Sequence, residues 1–339
     1  MTAAFASLDD LRRRLAGLPG PDPEANAAAE ARQGRLTKPQ GALGRLEAIA
    51  IWLAGWQGRE RPRLERVRIA VFAGNHGVTA RGVSAYPAEV TAQMVCNFEA
   101  GGAAINQLAR AAGAELRVVP IELDRPTADF CTAPAMTEDE CVAALNAGAA
   151  VVDEELDLLA VGEMGIGNTT VAATLAAALF GGSPDLWVGP GTGVDEAGIA
   201  RKAAVVRAAM EAHGAALDDP FEALRRVGGR ELAAITGAIL AAREARVPVL
   251  LDGFVSGAAA SVLHRAQPGA LDHTQAAHLS AEPGHARLLE TLALVPLLRL
   301  AMRLGEASGA ALAIPILRAA LACHNDMATF DEAGVSGRD

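Results

Sequence analysis

Gly162-Glu163-Met164-Gly165-Ile166-Gly167-Asn168-Thr169-Thr170 follows an apolar run, Leu156 to Val161, and precedes an Ala-rich run, Val171 to Phe180. The first run predicts a buried strand and the second a helix. A Gly-rich turn between strand and helix offers backbone N–H groups to an anion, and the helix dipole adds to that attraction. Asn168, Thr169 and Thr170 are helix-capping types and also phosphate donors. Glu163 places a carboxylate in the same turn, which points to chemistry on a phosphorylated small molecule. The competing reading is a tight connection whose glycines serve close packing alone. Neither generic nucleotide motif fits: Asn168 stands where a P-loop needs Lys, and G-x-G-x-x-G is not matched.

The same rhythm recurs along the chain. Val67 to Ala73 predicts a strand ending in Gly74-Asn75-His76-Gly77. Leu116 to Leu123 is the next, after a mostly helical Ala88 to Ala112 interrupted at Gly101-Gly102. Asp185 to Val188 is expected to lead as a strand into Gly189-Pro190-Gly191-Thr192-Gly193 and a long helix to His213. Val247 to Leu251 leads into Asp252-Gly253-Phe254, and Gln275 to Leu279 into Ser280-Ala281-Glu282-Pro283-Gly284-His285. Short apolar runs alternating with helices imply a parallel sheet with right-handed crossovers. Five polar, Gly-rich loops at the carboxyl ends of strands make that edge the expected site. Helices are expected over Leu8 to Leu18, Pro23 to Leu36 and Leu43 to Trp56, with Gln57 to Arg66 as a linker. At the other end a helix runs from Ala310 to about Met327, after the turn Gly305-Glu306-Ala307-Ser308-Gly309.

Composition narrows the class. The 339 residues can bury a sizeable core. Apolar residues make up 51% and aromatics 4%, so small side chains are expected to let helices and sheet approach closely. No apolar run is long and charge-free enough for a membrane span, and Met1 to Arg14 has no signal-peptide core, so a cytoplasmic protein is expected. A formal charge of −10 argues against a nucleic-acid surface. Cys96, Cys131, Cys141 and Cys323 form no C-x-x-C pair and read as ordinary thiols. His273 and His278 lack the spacing that puts two metal ligands on one helical face, and no metal site is expected.

Further segments complete a pattern: LTKPQGALGRLE from Leu36, AGNHGV from Ala73, VSAYP from Val83, VTAQMV from Val90, GGAAIN from Gly101, then GEMGIGNTT, GPGTG, LDGF, EPGH and LGEASGAALA. In this order and over nearly the whole chain they resemble the nicotinate-nucleotide:dimethylbenzimidazole phosphoribosyltransferase family of cobalamin assembly. The resemblance implies a Rossmann-like three-layer α/β/α domain, residues 61–296, and a small helical domain from both chain ends, residues 1–60 and 297–339. It implies a homodimer that transfers 5-phosphoribosyl from nicotinate mononucleotide to a benzimidazole, with no metal or redox cofactor. The family often has Asp where this chain has Asn75, so Asn75 is given no acid–base role. Dimerisation is also expected from apolar positions of the third helix (Leu43, Leu46, Ile49, Ile51, Trp52, Leu53) that need cover.

The chemistry then assigns residues. Displacement at ribose C1′ passes through an oxocarbenium-like state, and the benzimidazole N–H needs a general base. The resemblance makes Glu306 that base; the competing reading is a cap on the helix that starts near Ser308. Glu163 is a helper base or stabiliser of the cationic ribose, or else a helix-dipole partner. Backbone N–H groups of Gly165, Ile166, Gly167 and Asn168 are expected to meet the phosphate, with Gly191, Thr192 and Gly193 as a second anion-friendly turn. Lys202 adds a point charge or is a solvated surface residue, and Arg303 faces a carboxylate or phosphate or makes a helix-end ion pair. Ser84, Tyr86 and Gln93 lie in the segment resembling the benzimidazole pocket, with Met94 and Leu304 as walls or plain core. Ser280 is expected near the nucleotide. Asp252 either contacts a ribose hydroxyl or caps a helix. A non-catalytic nucleotide-binding protein and a nucleotide hydrolase remain as alternatives on the same fold.

Overall fold

The computed structural model describes residues 4–336. Residues 1–3 and 337–339, the outer ends of the expected helical domain and the start of the leader reading, lie outside them. In chain order the elements are α1 (Leu8–Leu15), α2 (Pro23–Arg35), α3 (Arg45–Gln57), β1 (Val67–Ala73), α4 (Val90–Glu99), α5 (Ala104–Ala111), β2 (Glu115–Pro120), α6 (Glu138–Ala149), β3 (Leu158–Met164) and α7 (Asn168–Phe180). There follow α8 (Glu196–His213), α9 (Pro220–Val227), α10 (Arg230–Glu244), β4 (Val249–Leu251), α11 (Phe254–Ala266), β5 (Thr274–Ala276), α12 (Pro283–Thr291), α13 (Ser308–Asp326) and α14 (Phe330–Ala333).

The strands form one parallel sheet in the order β2-β1-β3-β4-β5. Strands buried on both faces read as continuous apolar runs, which is why VRIAVFA and LLAVG are legible as strands. Helices α6, α7, α10 and α11 cover one face through a core that includes Leu159, Val161, Ile235 and Val262. Helices α3, α5 and α13 cover the other, where Ile49, Leu53, Ile314 and Leu317 meet Ile69, Leu158 and Ala160. This is the α/β/α sandwich expected. Helices α6 and α10 approach so closely that a Cβ on Gly148 would lie 1.7 Å from the Ala234 carbonyl oxygen. Among the described residues no helix is long and apolar enough to cross a membrane.

One expectation changes. Asp185 to Val188 is not a strand: Pro184–Leu186 is a single 3-10 turn, and Trp187 returns its backbone N–H to Pro184 at 3.0 Å. Pro184 presets that turn, and the Trp187 indole donates to the Gly181 carbonyl at 2.9 Å, so local bonds outcompete a sheet ladder. Of the apolar positions at α3 expected to need cover, Ile49 and Leu53 are buried in the core shared with α13 and Leu46 and Trp52 pack against it in part, while Leu43 and Ile51 stay half-buried. Helices α6, α9 and α10 fall in stretches left unassigned above. Of these, α10 is buried along nearly its whole length, which erases the amphipathic period that would mark it.

Helix α1 packs on the α6 side: Asn146 and Phe5 exchange side-chain and backbone hydrogen bonds at 2.7 and 2.9 Å. The ends of the chain meet where Leu36 bridges Thr329. At the start of α3, Arg45 donates to the carbonyls of Val295 and Pro296, which anchors the loop leading to Glu306. All four cysteines are free thiols.

Candidate active site

β3 ends in Glu163 and Met164, with Glu163 in register with Phe72 of β1, and the chain turns through Gly165–Gly167 into α7. The sheet order reverses between β1 and β3, and ligand crevices in open α/β sheets form at such a switch point. A cavity of about 470 Å³ opens at the carboxyl ends of β3, β4 and β5. Its apolar wall comes from Tyr86, Val90, Met94, Phe254 and Leu304. Its polar wall holds Glu163, Glu306, Thr169, Thr192, His278, Ser280, Glu282 and Arg303. Tyr86 and Leu304 stay 56% and 54% exposed, which puts them at the mouth.

Glu306 sits in a turn of three successive positive-φ residues, Gly305 (81°), Glu306 (61°) and Ala307 (60°). Its backbone N–H donates to the Glu163 carbonyl at 3.1 Å. Its side chain is buried, and its Oε2 has no hydrogen-bond partner among the described residues. Burial pushes this carboxyl up to about 7. Burial pushes Glu163 up to about 8; the Asn168 side-chain amide, which donates to it, pulls the other way, while Asp252, Glu231 and Glu306 add like-charge repulsion. Two acids near neutrality on one cavity wall can share proton transfer and charge stabilisation.

The anion side is built differently from the turn read in the sequence. The N–H of Ile166 donates to Thr91 Oγ1 at 3.1 Å, that of Asn168 to the Gly165 carbonyl at 3.2 Å, and that of Gly191 to Glu282 Oε1 at 2.9 Å. These backbone donors are engaged within the protein. Lys202 is buried, not solvated: its Nζ donates to Thr169 Oγ1 at 3.0 Å and to the Gly189 carbonyl at 2.9 Å. Thr169 itself lines the cavity, so the ammonium lies directly behind a cavity-lining hydroxyl. Burial brings the Lys202 ammonium down to about 8, against the attraction of Glu282. Arg303 donates to the Gly191 carbonyl at 2.6 Å, so the two peptide groups flanking Gly191 are held, one by Glu282 and the other by Arg303.

Of the residues singled out in the sequence, Glu163, Glu306, Tyr86, Met94, Gly165, Ile166, Asn168, Gly191, Thr192, Ser280, Arg303 and Leu304 come together on the cavity wall. The others stand off it. Ser84 pairs with Thr192 Oγ1 at 3.1 Å and so holds the Tyr86 segment over the mouth. Gln93 and Gly193 are exposed. Gly167 has φ 87°, and a Cβ there would lie 2.9 Å from Thr79 Cγ2, so its need is conformational. Asp252 faces α13 and accepts from the Ala310 N–H at 3.0 Å. Asn75 donates its amide to the Leu123 carbonyl at 2.9 Å, a bond that an ionised Asp could not make.

Thr169, read in the sequence as a capping type and phosphate donor, lines the cavity, and so do Phe254, His278 and Glu282, for which no binding role is expected from sequence. Phe254 opens α11 just after β4 and Glu282 stands at the N-cap of α12 after β5, so the rule that placed Asp252 and Ser280 could have found them. His278 carries no sequence signal beyond its lack of metal-ligand spacing with His273.

Comparison with known proteins gives the family. A phosphoribosyltransferase family model matches residues 18–335. The nicotinate-nucleotide–dimethylbenzimidazole phosphoribosyltransferase of Mesorhizobium japonicum is 61% identical over 332 residues, covering 98% of this chain and 99% of the relative. The chain belongs to that family. The enzyme of the same name from Novosphingobium aromaticivorans is 62% identical over 332 residues, covering 98% of each chain. The crystal structure of CobT from Thermus thermophilus superposes with a TM-score of 0.87 at 48% identity, covering 93% of this chain and all of the other. The chain is thus a phosphoribosyltransferase of α/β/α fold.

Proposed function

We propose that the cavity transfers the 5-phosphoribosyl group of nicotinate mononucleotide to 5,6-dimethylbenzimidazole, releasing nicotinate and α-ribazole 5′-phosphate for cobalamin synthesis. The observation that carries this reading is Glu306: a mostly buried carboxyl, pushed up to about 7 by burial, that lines a largely apolar cavity. Such a carboxylate suits removal of a proton from a flat, apolar acceptor.

The acceptor nitrogen attacks C1′ as the bond to the pyridinium nitrogen breaks. That electron pair leaves with nicotinate as a neutral pyridine nitrogen, so no acid is needed there. The benzimidazole N–H proton passes to the Glu306 carboxylate. Attack from the face opposite the leaving group converts a β-linked donor into an α-linked product. Glu163, when ionised, stabilises the positive charge that develops on the ribose. The Thr169 hydroxyl, Arg303 and the Lys202 charge behind Thr169 favour the phosphate, while Tyr86, Met94, Phe254 and Leu304 suit the acceptor ring. We assign the reaction to the cytoplasm and to a homodimer.

Mixing donor and acceptor with the protein and following nicotinate tests this directly. Release that requires the acceptor, with α-ribazole 5′-phosphate formed in equal amount, is expected. Release without acceptor would make the protein a hydrolase, and no release in either case would leave only binding.

A further inference from the structure

Glu306 and Ala307 are consecutive non-glycine residues in the left-handed region. Such residues persist where their surroundings over-determine them. Three contacts do so here. The Ala307 backbone is pressed on β3, where a Cβ on Gly162 would lie 2.1 Å from the Ala307 nitrogen. The next turn lies against the His278 ring, where a Cβ on Gly309 would come 2.1 Å from Cδ2. The third contact is Asp252. It is 2% exposed, accepts from the Ala310 N–H at 3.0 Å, and lies 3.6 Å from His278 Nε2. Asp252 follows the last residue of β4, while Gly253, its neighbour, lines the cavity and Asp252 does not. Its carboxyl therefore points into the protein, at the N-terminus of α13, where unpaired N–H groups and the helix dipole favour an acid.

We propose that Asp252 is a positioning residue that acts through Glu306: by anchoring the first turn of α13 to the end of β4, it holds the left-handed turn that aims Glu306 into the cavity. This rests on Glu306 as the base. It separates Asp252 from nucleotide recognition, since a ribose contact would require the side chain to face the cavity.

The test is a double-mutant cycle in the full-length protein with Asp252→Ala, Asp252→Asn, Glu306→Gln and the Ala/Gln double variant. Asp252→Ala is expected to lower kcat about tenfold or more, with the donor KM within about threefold of wild type, because the lost interaction acts only on the base. Asp252→Asn, which keeps one oxygen to accept the Ala310 N–H, is expected to lose less. Adding Asp252→Ala to Glu306→Gln is expected to cost no more than about a further twofold, since the group it positions is already disabled. Additive losses, a rise in donor KM at unchanged kcat, or wild-type kcat in Asp252→Ala would each overturn the proposal. Should the Ala variant not fold, Asp252→Asn carries the same cycle with a smaller first loss. A Glu306→Gln enzyme with wild-type kcat would instead sink the base assignment; an inactive Glu306→Gln beside a wild-type-like Asp252→Ala would sink the positioning role alone.

Discussion

The backbone N–H of Glu306 donates to the backbone carbonyl of Glu163 at 3.1 Å. One hydrogen bond thus ties the end of β3 to the turn before α13, and it places two carboxyl side chains from distant parts of the chain on one cavity wall. The charge of Glu306 raises the cost of ionising Glu163, on top of burial.

Glu306→Gln keeps the size and hydrogen bonding of the side chain but cannot accept a proton. Turnover is expected to fall by about 10² or more while donor affinity changes little. Steady-state kinetics with saturating acceptor measure this, and a near-wild-type kcat would move the base to Glu163.

The base must be ionised to act, and Glu306 is pushed up to about 7. Turnover should therefore fall as pH drops through the region of 7, well above the ordinary carboxylate range. A pH profile flat down to about 5, near that ordinary range, would contradict a Glu306 base.

The same burial makes stability depend on pH. Glu163, Asp252 and Glu306 have folded values of about 8, 7 and 7, all above their unfolded values. The folded state holds these protons more tightly than the unfolded state does, so the stability they contribute is fully present below about pH 4 and is lost as pH rises through about 7 to 8. Glu163→Gln should melt higher than wild type at about pH 9, by roughly a few degrees, with a smaller gap at about pH 6. Equal gaps at both values would mean that Glu163 ionises in the fold at no cost.

Lys202→Ala removes the buried ammonium behind Thr169. The KM for the mononucleotide should rise about tenfold, with a smaller change in kcat. In the wild type, donor KM should also rise as pH passes about 8, where Lys202 loses its charge. Unchanged donor affinity in Lys202→Ala would place the phosphate elsewhere.

Turnover should survive EDTA, because the leaving nitrogen needs no Lewis acid. Activity lost on chelation and restored by a divalent ion would refute this.

Much of the architecture is legible in the chain itself. Val67 to Ala73 and Leu158 to Val161 are strands because a parallel strand is apolar on both faces, and the Gly-rich turns after them mark the ligand edge. Glu163 and Asn168 could be singled out because they flank the turn after β3, and Glu306 because its Gly-flanked turn resembles the family's. Only the tertiary structure decided what each group meets. Asp185 to Val188 has strand-like composition, yet local bonds around Pro184 turn it into a single 3-10 turn. The N–H groups of Ile166 and Gly191 look free in the sequence, but Thr91 and Glu282 take them across the fold. Lys202 occupies an ordinary helical position, yet α8 docks so that its ammonium lies beneath the 189–191 turn. Asp252 sits in a ligand-edge loop but turns inward to α13. The reason is common to these cases: periodicity and turn chemistry are local, whereas burial, the partner of a donor and the direction of a side chain are set largely by segments remote in sequence, and those in turn set ionisation.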